Sequence, residues 1–211
     1  MNQLSFSFNA NECTGCKACV AACKDVKNLP VGYKLRHVVT GEAGGWEIDA
    51  VSGLPQPVRV FSYSVSYSCM HCDSPACMAR CPKGAIQKDA DTGIVWIDQE
   101  LCIGCGMCVK ACPWKAPVVV PRIDGTRKSH KCDFCRNLIA ADEEPACVAA
   151  CAMRCLKAIT SPGETSAFDD PLLKGSRELG PNMVFMPHRG VVANPGVEVR
   201  IHSMPEEYSN E

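Results

Sequence analysis

Sixteen of the seventeen cysteines in this 211-residue chain fall into four quartets, and nothing else in the sequence limits its folding as strongly. The quartets are Cys13, Cys16, Cys19 and Cys23; Cys69, Cys72, Cys77 and Cys81; Cys102, Cys105, Cys108 and Cys112; and Cys132, Cys135, Cys147 and Cys151. The first and third read C-x2-C-x2-C-x3-C, while the middle step widens to x4 in the second and to x11 in the fourth. A disulfide joins only two thiols, and an odd total leaves one over. A zinc ion accepts four, but structural zinc sites usually take them as two pairs from separated loops. Three thiolates two residues apart instead let one tight loop wrap an iron–sulfur cluster, with backbone N–H groups turned toward its sulfurs. Sixteen thiolates close four such clusters and leave Cys155 as the spare.

The spacing makes local predictions. C-x2-C-x2-C-x3-C-P is the bacterial ferredoxin signature, in which the fourth thiolate serves a different cluster from the first three. The x3 step predicts a helix, because residues i and i+4 share a helical face. Cys108 and Cys112 then stand about 6 Å apart along one axis, which keeps two clusters close enough for electrons to hop. Gly15, Gly104 and Gly106 fall inside the loops, where close approach or positive φ favours glycine. Pro82 and Pro113 restrict the backbone just past the fourth ligand of their quartets.

Composition narrows the function. Cysteine at about 8% would suit a secreted disulfide scaffold, but the leading stretch MNQLSFSFNANEC has no basic or long apolar region and no twin arginine. No stretch approaches the length of a bilayer-spanning helix, so any membrane attachment is expected through partners. The formal net charge is −1 with every cysteine neutral; four clusters at −2 each take it to roughly −9. Lys17, Lys24, Arg80, Lys83, Lys110, Lys115, Lys131, Arg136 and Arg154 lie beside the thiols and read mainly as compensation for that charge. They form no basic run, which argues against nucleic acid as a partner. No Walker loop, dinucleotide fingerprint or metalloprotease motif is present, and full cysteine ligation leaves no open iron. The expected role is electron transfer without catalysis.

Between the quartets, YKLRHVVT (33–40) and VRVFSYSVSY (58–67) predict short strands, with GEAGG and SGLPQP as breakers. AIQKDADTGIVWID (85–98) predicts a hairpin turning at DADTG. Residues 160–211 hold only short apolar pieces such as MVFMP and VEVRI, too sparse for a core of their own, and are expected to strap across this protein or a partner. His71 and His130 are expected to pack or hydrogen-bond rather than bind iron, since each quartet already supplies four thiolates. Trp96 and Trp114 are expected to shield a cluster.

In quartet order, in the x11 insert and in the text between, the chain resembles the iron–sulfur subunit of dimethyl sulfoxide reductase-type molybdoenzymes. The resemblance runs from about Asn11 to Ile159 and includes CTGCKACVAACKD, AGGW, SYSCMHCDSPACMARCPKGAI, CIGCGMCVKACPWKAP and KCDFC. It implies an α+β fold of two pseudo-symmetric ferredoxin-like modules with interleaved cysteine motifs and an irregular C-terminal strap. Residues 1–68 with 128–159 would form an outer module, with a β insertion over 24–68. Residues 69–127 would form an inner one, and 160–211 a tail contacting a partner subunit. The implied ligand sets are exchanged between quartets: Cys13, Cys16, Cys19 and Cys151; Cys132, Cys135, Cys147 and Cys23; Cys69, Cys72, Cys77 and Cys112; Cys102, Cys105, Cys108 and Cys81. Some relatives carry tryptophan at the place of Cys105 and hold a three-iron cluster; the cysteine here implies four irons. The last quartet reads CAMRCLKAI where the second reads CPKGAI, so Cys155 aligns with Ala85 and is expected as a buried small residue, with Cys151 the ligand.

The resemblance further implies four 4Fe–4S clusters relaying electrons between a quinol-linked membrane anchor or soluble donor and a large molybdopterin catalytic subunit. Such a chain is soluble or peripheral to the bacterial or archaeal cytoplasmic membrane, on either face, and is exported when its partner bears a twin-arginine signal. A related four-cluster subunit of a hydrogenase or formate dehydrogenase complex is the near alternative. A zinc- or disulfide-stapled structural protein is the alternative of another class.

Overall fold

The computed structural model describes residues 3–161, 170–173 and 175–202. In chain order the elements are β1 (Gln3–Asn9), α1 (Ala18–Val26), β2 (His37–Ile48), β3 (Pro55–Tyr67), α2 (Ala76–Ala79), β4 (Ile86–Lys88), β5 (Val95–Ile97) and α3 (Met107–Ala111). They continue with β6 (Val118–Pro121), β7 (Arg127–His130), α4 (Arg136–Ala140), α5 (Ala146–Ala149), β8 (Leu156–Ser161), β9 (Met183–Met186), α6 (Arg189–Ala193) and β10 (Val199–Ile201). This is a mixed α+β architecture of small sheets and short helices.

Each helix that carries cysteines starts at or just before the third thiol of its quartet. Cys19, Cys77, Cys108 and Cys147 lie inside α1, α2, α3 and α5. Only α1, at nine residues, runs past the fourth thiol, so Cys23 is helical while Cys112 caps α3. Helices this short are not stable alone and depend on what they pack against. α1 packs on α5, and α2 on α3.

The sheets tie distant parts of the chain together. β1 lies between β8, antiparallel to it, and β9, parallel to it. β2 pairs antiparallel with β3 on one side and β10 on the other. β4 with β5 and β6 with β7 form separate antiparallel pairs. The β4–β5 hairpin turns at DADTG as expected: Asp89 Oδ1 accepts from the backbone N–H of Thr92 at 2.8 Å and from its hydroxyl at 2.7 Å. GEAGG does not break the chain. β2 runs straight through residues 41–45, with a register shift between Ala43 and Gly45 and Gly44 at φ 86°. Pairing with β3 outweighs the local preference of the glycines, and the bulge absorbs the residue that does not fit.

The apolar pieces of the tail are β9 and β10, and both lie on this chain's own sheets. Between them and the body, Asn182 donates its backbone N–H to Met70 O at 2.8 Å and Asp73 donates to Gly180 O at 2.8 Å. The parts of the 160–211 tail at 162–169, 174 and 203–211 are outside the described residues.

Two buried clusters make the core. The larger gathers Phe6, Phe8, Leu35, Val65, Phe134, Leu156 and Leu173 with buried thiols of the first, second and fourth quartets. The smaller holds Ala85, Ile86, Val95 and Ile97 around Cys77, Cys102 and Cys108. Eleven of the seventeen cysteines are buried and none is in a disulfide, so what the thiols hold is part of the core. No helix among the described residues is long and apolar enough to cross a membrane.

Candidate iron–sulfur sites

The loops that begin each quartet share one backbone conformation. The residue just before the second cysteine has positive φ in all four: Gly15 at 69°, His71 at 45°, Gly104 at 67° and Phe134 at 60°. Lys17 at 62° and Gly106 at 74° repeat it one residue past the second cysteine of the first and third quartets. This curls the chain so that amides face inward. His71 N–H donates to Cys69 Sγ at 3.4 Å, Ala85 N–H to Cys81 Sγ at 3.3 Å, Ser129 N–H to Cys102 Sγ at 3.3 Å and Phe134 N–H to Cys132 Sγ at 3.4 Å.

Two hollows open between the curled loops. One is walled by Cys81, Cys102, Cys105 and Cys108 with Ile86, Ile97 and Met107. The other is walled by Cys69, Cys72, Cys77 and Cys112 with Met70, Trp114 and Lys131. Each takes three thiols from one quartet and the fourth from the other. The outer quartets also meet. Burial pushes the Cys23 thiol up to about 12, and the nearby Cys147 and Cys135 thiols add to the rise. Burial likewise pushes Cys132 up, with Cys23 and Cys147 among its neighbours. Cys13 interacts with Cys19 and is hydrogen-bonded to Cys155, whose Sγ lies 3.6 Å from Cys151 Sγ. Cys16 and Cys105 lie on the exposed side of their loops.

The donor set suits a multinuclear cationic core. Burial pushes Cys72 and Cys77 up to about 12, so ionising several such thiols together requires strong local positive charge. Among the described residues no group of three or more His, Cys, Asp or Glu side chains is drawn together around a single ion position.

The charged and aromatic neighbours sort into distinct uses. Lys131 is 5% exposed, lines the second hollow, and donates to the carbonyls of Cys132, at 2.7 Å, and Val95. Lys24 and Arg154 are spent on backbone carbonyls, of Tyr33 at 3.2 Å and Ala149 at 3.1 Å. Trp114 is buried in the wall of the second hollow, as expected. Trp96 instead lies beneath the Arg136 guanidinium, 4.2 Å from its ring centre. His71 accepts the Val95 N–H on Nδ1 at 3.0 Å and meets Phe134 edge-on.

Sequence reasoning passed over Arg36. It is 1% exposed and donates to Ser66 Oγ at 3.2 Å and Ser68 Oγ at 3.0 Å. Its guanidinium lies 4.5 Å from the centre of the Phe6 ring. The one signal for it was a cation in YKLRHVVT, a segment otherwise fit for burial.

Residues 60–160 match the family described as 4Fe-4S dicluster domain, and residues 10–32 match a 4Fe-4S binding domain. The chain is 40% identical over 158 residues to the B subunit of anaerobic dimethyl sulfoxide reductase from Haemophilus influenzae, covering 74% of this chain and 73% of that one. It is 40% identical over 156 residues to the same subunit from Escherichia coli K12, covering 73% and 72%. It is 34% identical over 185 residues to a protein NrfC homolog of Haemophilus influenzae, covering 84% and 76%. Curled cysteine loops, thiol-walled hollows and these likenesses agree, and the chain belongs to the family of 4Fe–4S iron–sulfur subunits that includes the B subunit of anaerobic dimethyl sulfoxide reductase.

Proposed function

We propose that the chain is a non-catalytic electron-transfer subunit that holds four 4Fe–4S clusters in a row. The observation that carries this reading is the pair of hollows, each walled by three thiols of one quartet and the fourth of the other. Cys102, Cys105, Cys108 and Cys81 hold one cluster, and Cys69, Cys72, Cys77 and Cys112 the next. Cys132, Cys135, Cys147 and Cys23 hold a third, and Cys13, Cys16, Cys19 and Cys151 the fourth. Each cluster, when bound, supplies one reversible one-electron step.

The chain's own residues set the distances. α3 carries Cys108 into one hollow and Cys112, its cap, into the other, so the two cysteines that link the sites stand about 6 Å apart along the helix. α1 does the same with Cys19 and Cys23 for the outer pair. Two arrangements recur: strand, cysteine loop and helix in β1–α1 and β5–α3, and helix followed by strand in α5–β8 and α2–β4. In each half the two strands pair antiparallel. This supports two pseudo-symmetric ferredoxin-like modules, an outer one over 1–68 with 128–159 and an inner one over 69–127, with part of the 160–211 tail reaching a partner.

The proposed partners are a large molybdopterin catalytic subunit at one end and a membrane anchor or soluble donor at the other. A second reading assigns the chain to the NrfC-like branch, whose likeness reaches over more of this chain, 84% against 74%. Anaerobic co-purification with the tagged full chain separates them. The first reading expects a large chain containing molybdenum, and reduced iron–sulfur signals that disappear when an S-oxide is added. A stable large partner without molybdenum would overturn it.

A further inference from the structure

Arg36 is a cation enclosed by the fold with no carboxylate partner among the described residues. None of the ion pairs among the described residues involves it, and its Nε has no hydrogen-bond partner. A guanidinium removed from water is stabilised only by nearby negative charge and by hydrogen bonds. Ser66, Ser68 and the Phe6 ring supply part of this. The groups able to carry negative charge that act on it most strongly among the described residues are the thiols of Cys147, Cys132, Cys19 and Cys23. These belong to both outer ligand sets.

The link to one sulfur is direct. A serine hydroxyl has one hydrogen and two lone pairs, whereas a guanidinium only donates. Ser66 Oγ therefore accepts from Arg36 Nη1 at 3.2 Å, which leaves its own O–H for Cys19 Sγ, 3.4 Å away. Ser129 Oγ stands at the same 3.4 Å from Cys108 Sγ in the inner module, but Arg36 is not behind it. Hydrogen bonds to sulfur and local charge are what set the potentials of such clusters. Reduction adds one negative charge to a cluster, so a donor and a cation favour the reduced form.

We propose that Arg36 is a positioning residue that raises the reduction potentials of both outer clusters, through Ser66 at Cys19 and through its charge at Cys23, Cys132 and Cys147. This rests on the cluster assignment above. The test is a dithionite redox titration of the anaerobic holoprotein, followed by electron paramagnetic resonance. Signals are assigned with Cys-to-Ser variants of single clusters. In Arg36→Gln the reduced-to-oxidised ratio of both outer clusters at a fixed ambient potential falls at least tenfold, equivalent to about 59 mV for a one-electron couple. The two inner clusters titrate as before. In Ser66→Ala the fall is confined to the cluster on Cys19, and this small change decides the matter if Arg36→Gln fails to assemble iron. Unchanged outer potentials in Ser66→Ala, or a uniform shift of all four clusters, overturns the proposal. Absence of cluster signals from the unaltered protein would instead overturn the assignment beneath it.

Discussion

Gly104→Ala isolates how tightly the cysteine loops are built. Gly104 lies between Cys102 and Cys105 at φ 67°, and an added Cβ would stand 2.1 Å from the Arg127 carbonyl oxygen. Ordinary contact begins at 3.4 Å, so the loop and β7 must part by about 1.3 Å. β7 holds the loop through Ser129 N–H on Cys102 Sγ at 3.3 Å and through Lys128 Nζ on the carbonyls of Gln99, at 2.7 Å, and Cys102, at 2.6 Å. Left-handed φ costs alanine about 1 kcal/mol. Overpacking adds about 1–3 kcal/mol, and loosening one of these hydrogen bonds about 1 kcal/mol. The loss is then roughly 3–5 kcal/mol, centred on one site. Gly53→Ala is the control, because Gly53 has φ 69° but nothing within 4 Å of its added Cβ. The assay is iron per chain in anaerobically purified protein, together with the melting temperature. Gly104→Ala is expected to lose the irons of one cluster, about four per chain, and to melt well below Gly53→Ala. Equal iron content and equal melting in the two variants would show that the loop has room to spare, contrary to the contact at Arg127.

Removing iron with a chelator under reducing conditions should collapse the fold, because eleven buried cysteines stand in the core; native-like circular dichroism with cooperative melting in the apoprotein would contradict this. Cys155→Ala should keep full iron while Cys151→Ala loses one cluster, as read by iron and acid-labile sulfide assays, and the reverse pattern would exchange their roles. Burial, aided by Lys34 and Arg36, holds His37 down to about 4. The unfolded chain protonates near 6.5, so stability present above that pH is lost as pH falls toward 4. The loss is about 1 kcal/mol at about pH 5.5; the melting temperature of His37→Gln should fall less between about pH 7 and 5.5 than that of the unaltered protein, and parallel falls would exclude His37 as the cause.

The sequence displayed what is local. Cysteine spacing placed the loops, and the helices begin where the third thiol of each quartet stands. The DADTG turn was legible because Asp89 caps its own turn from three residues away. Positive φ was legible at Gly15 and Gly104 but not at His71 and Phe134, which adopt the same conformation with side chains. Their strain is offset by contacts that no window of sequence contains: Phe134 stacks on Phe6 at 4.2 Å and meets the His71 ring at 5.6 Å. Arg36 was invisible for the same reason, since its partners Ser66 and Ser68 arrive on and just after β3, 30 and 32 residues later. β9 finds a place beside β1 from the opposite end of the chain, and only tertiary packing could specify that pairing.

Whether thiols of different quartets share iron is decided by an iron anomalous map of the anaerobic holoprotein. Four compact iron peaks are expected, two of them bounded by Cys102, Cys105, Cys108 and Cys81 and by Cys69, Cys72, Cys77 and Cys112. Thiols bonded to one another, lone zinc ions, or clusters closed by the four cysteines of a single quartet would contradict the ligand exchange and the relay built on it.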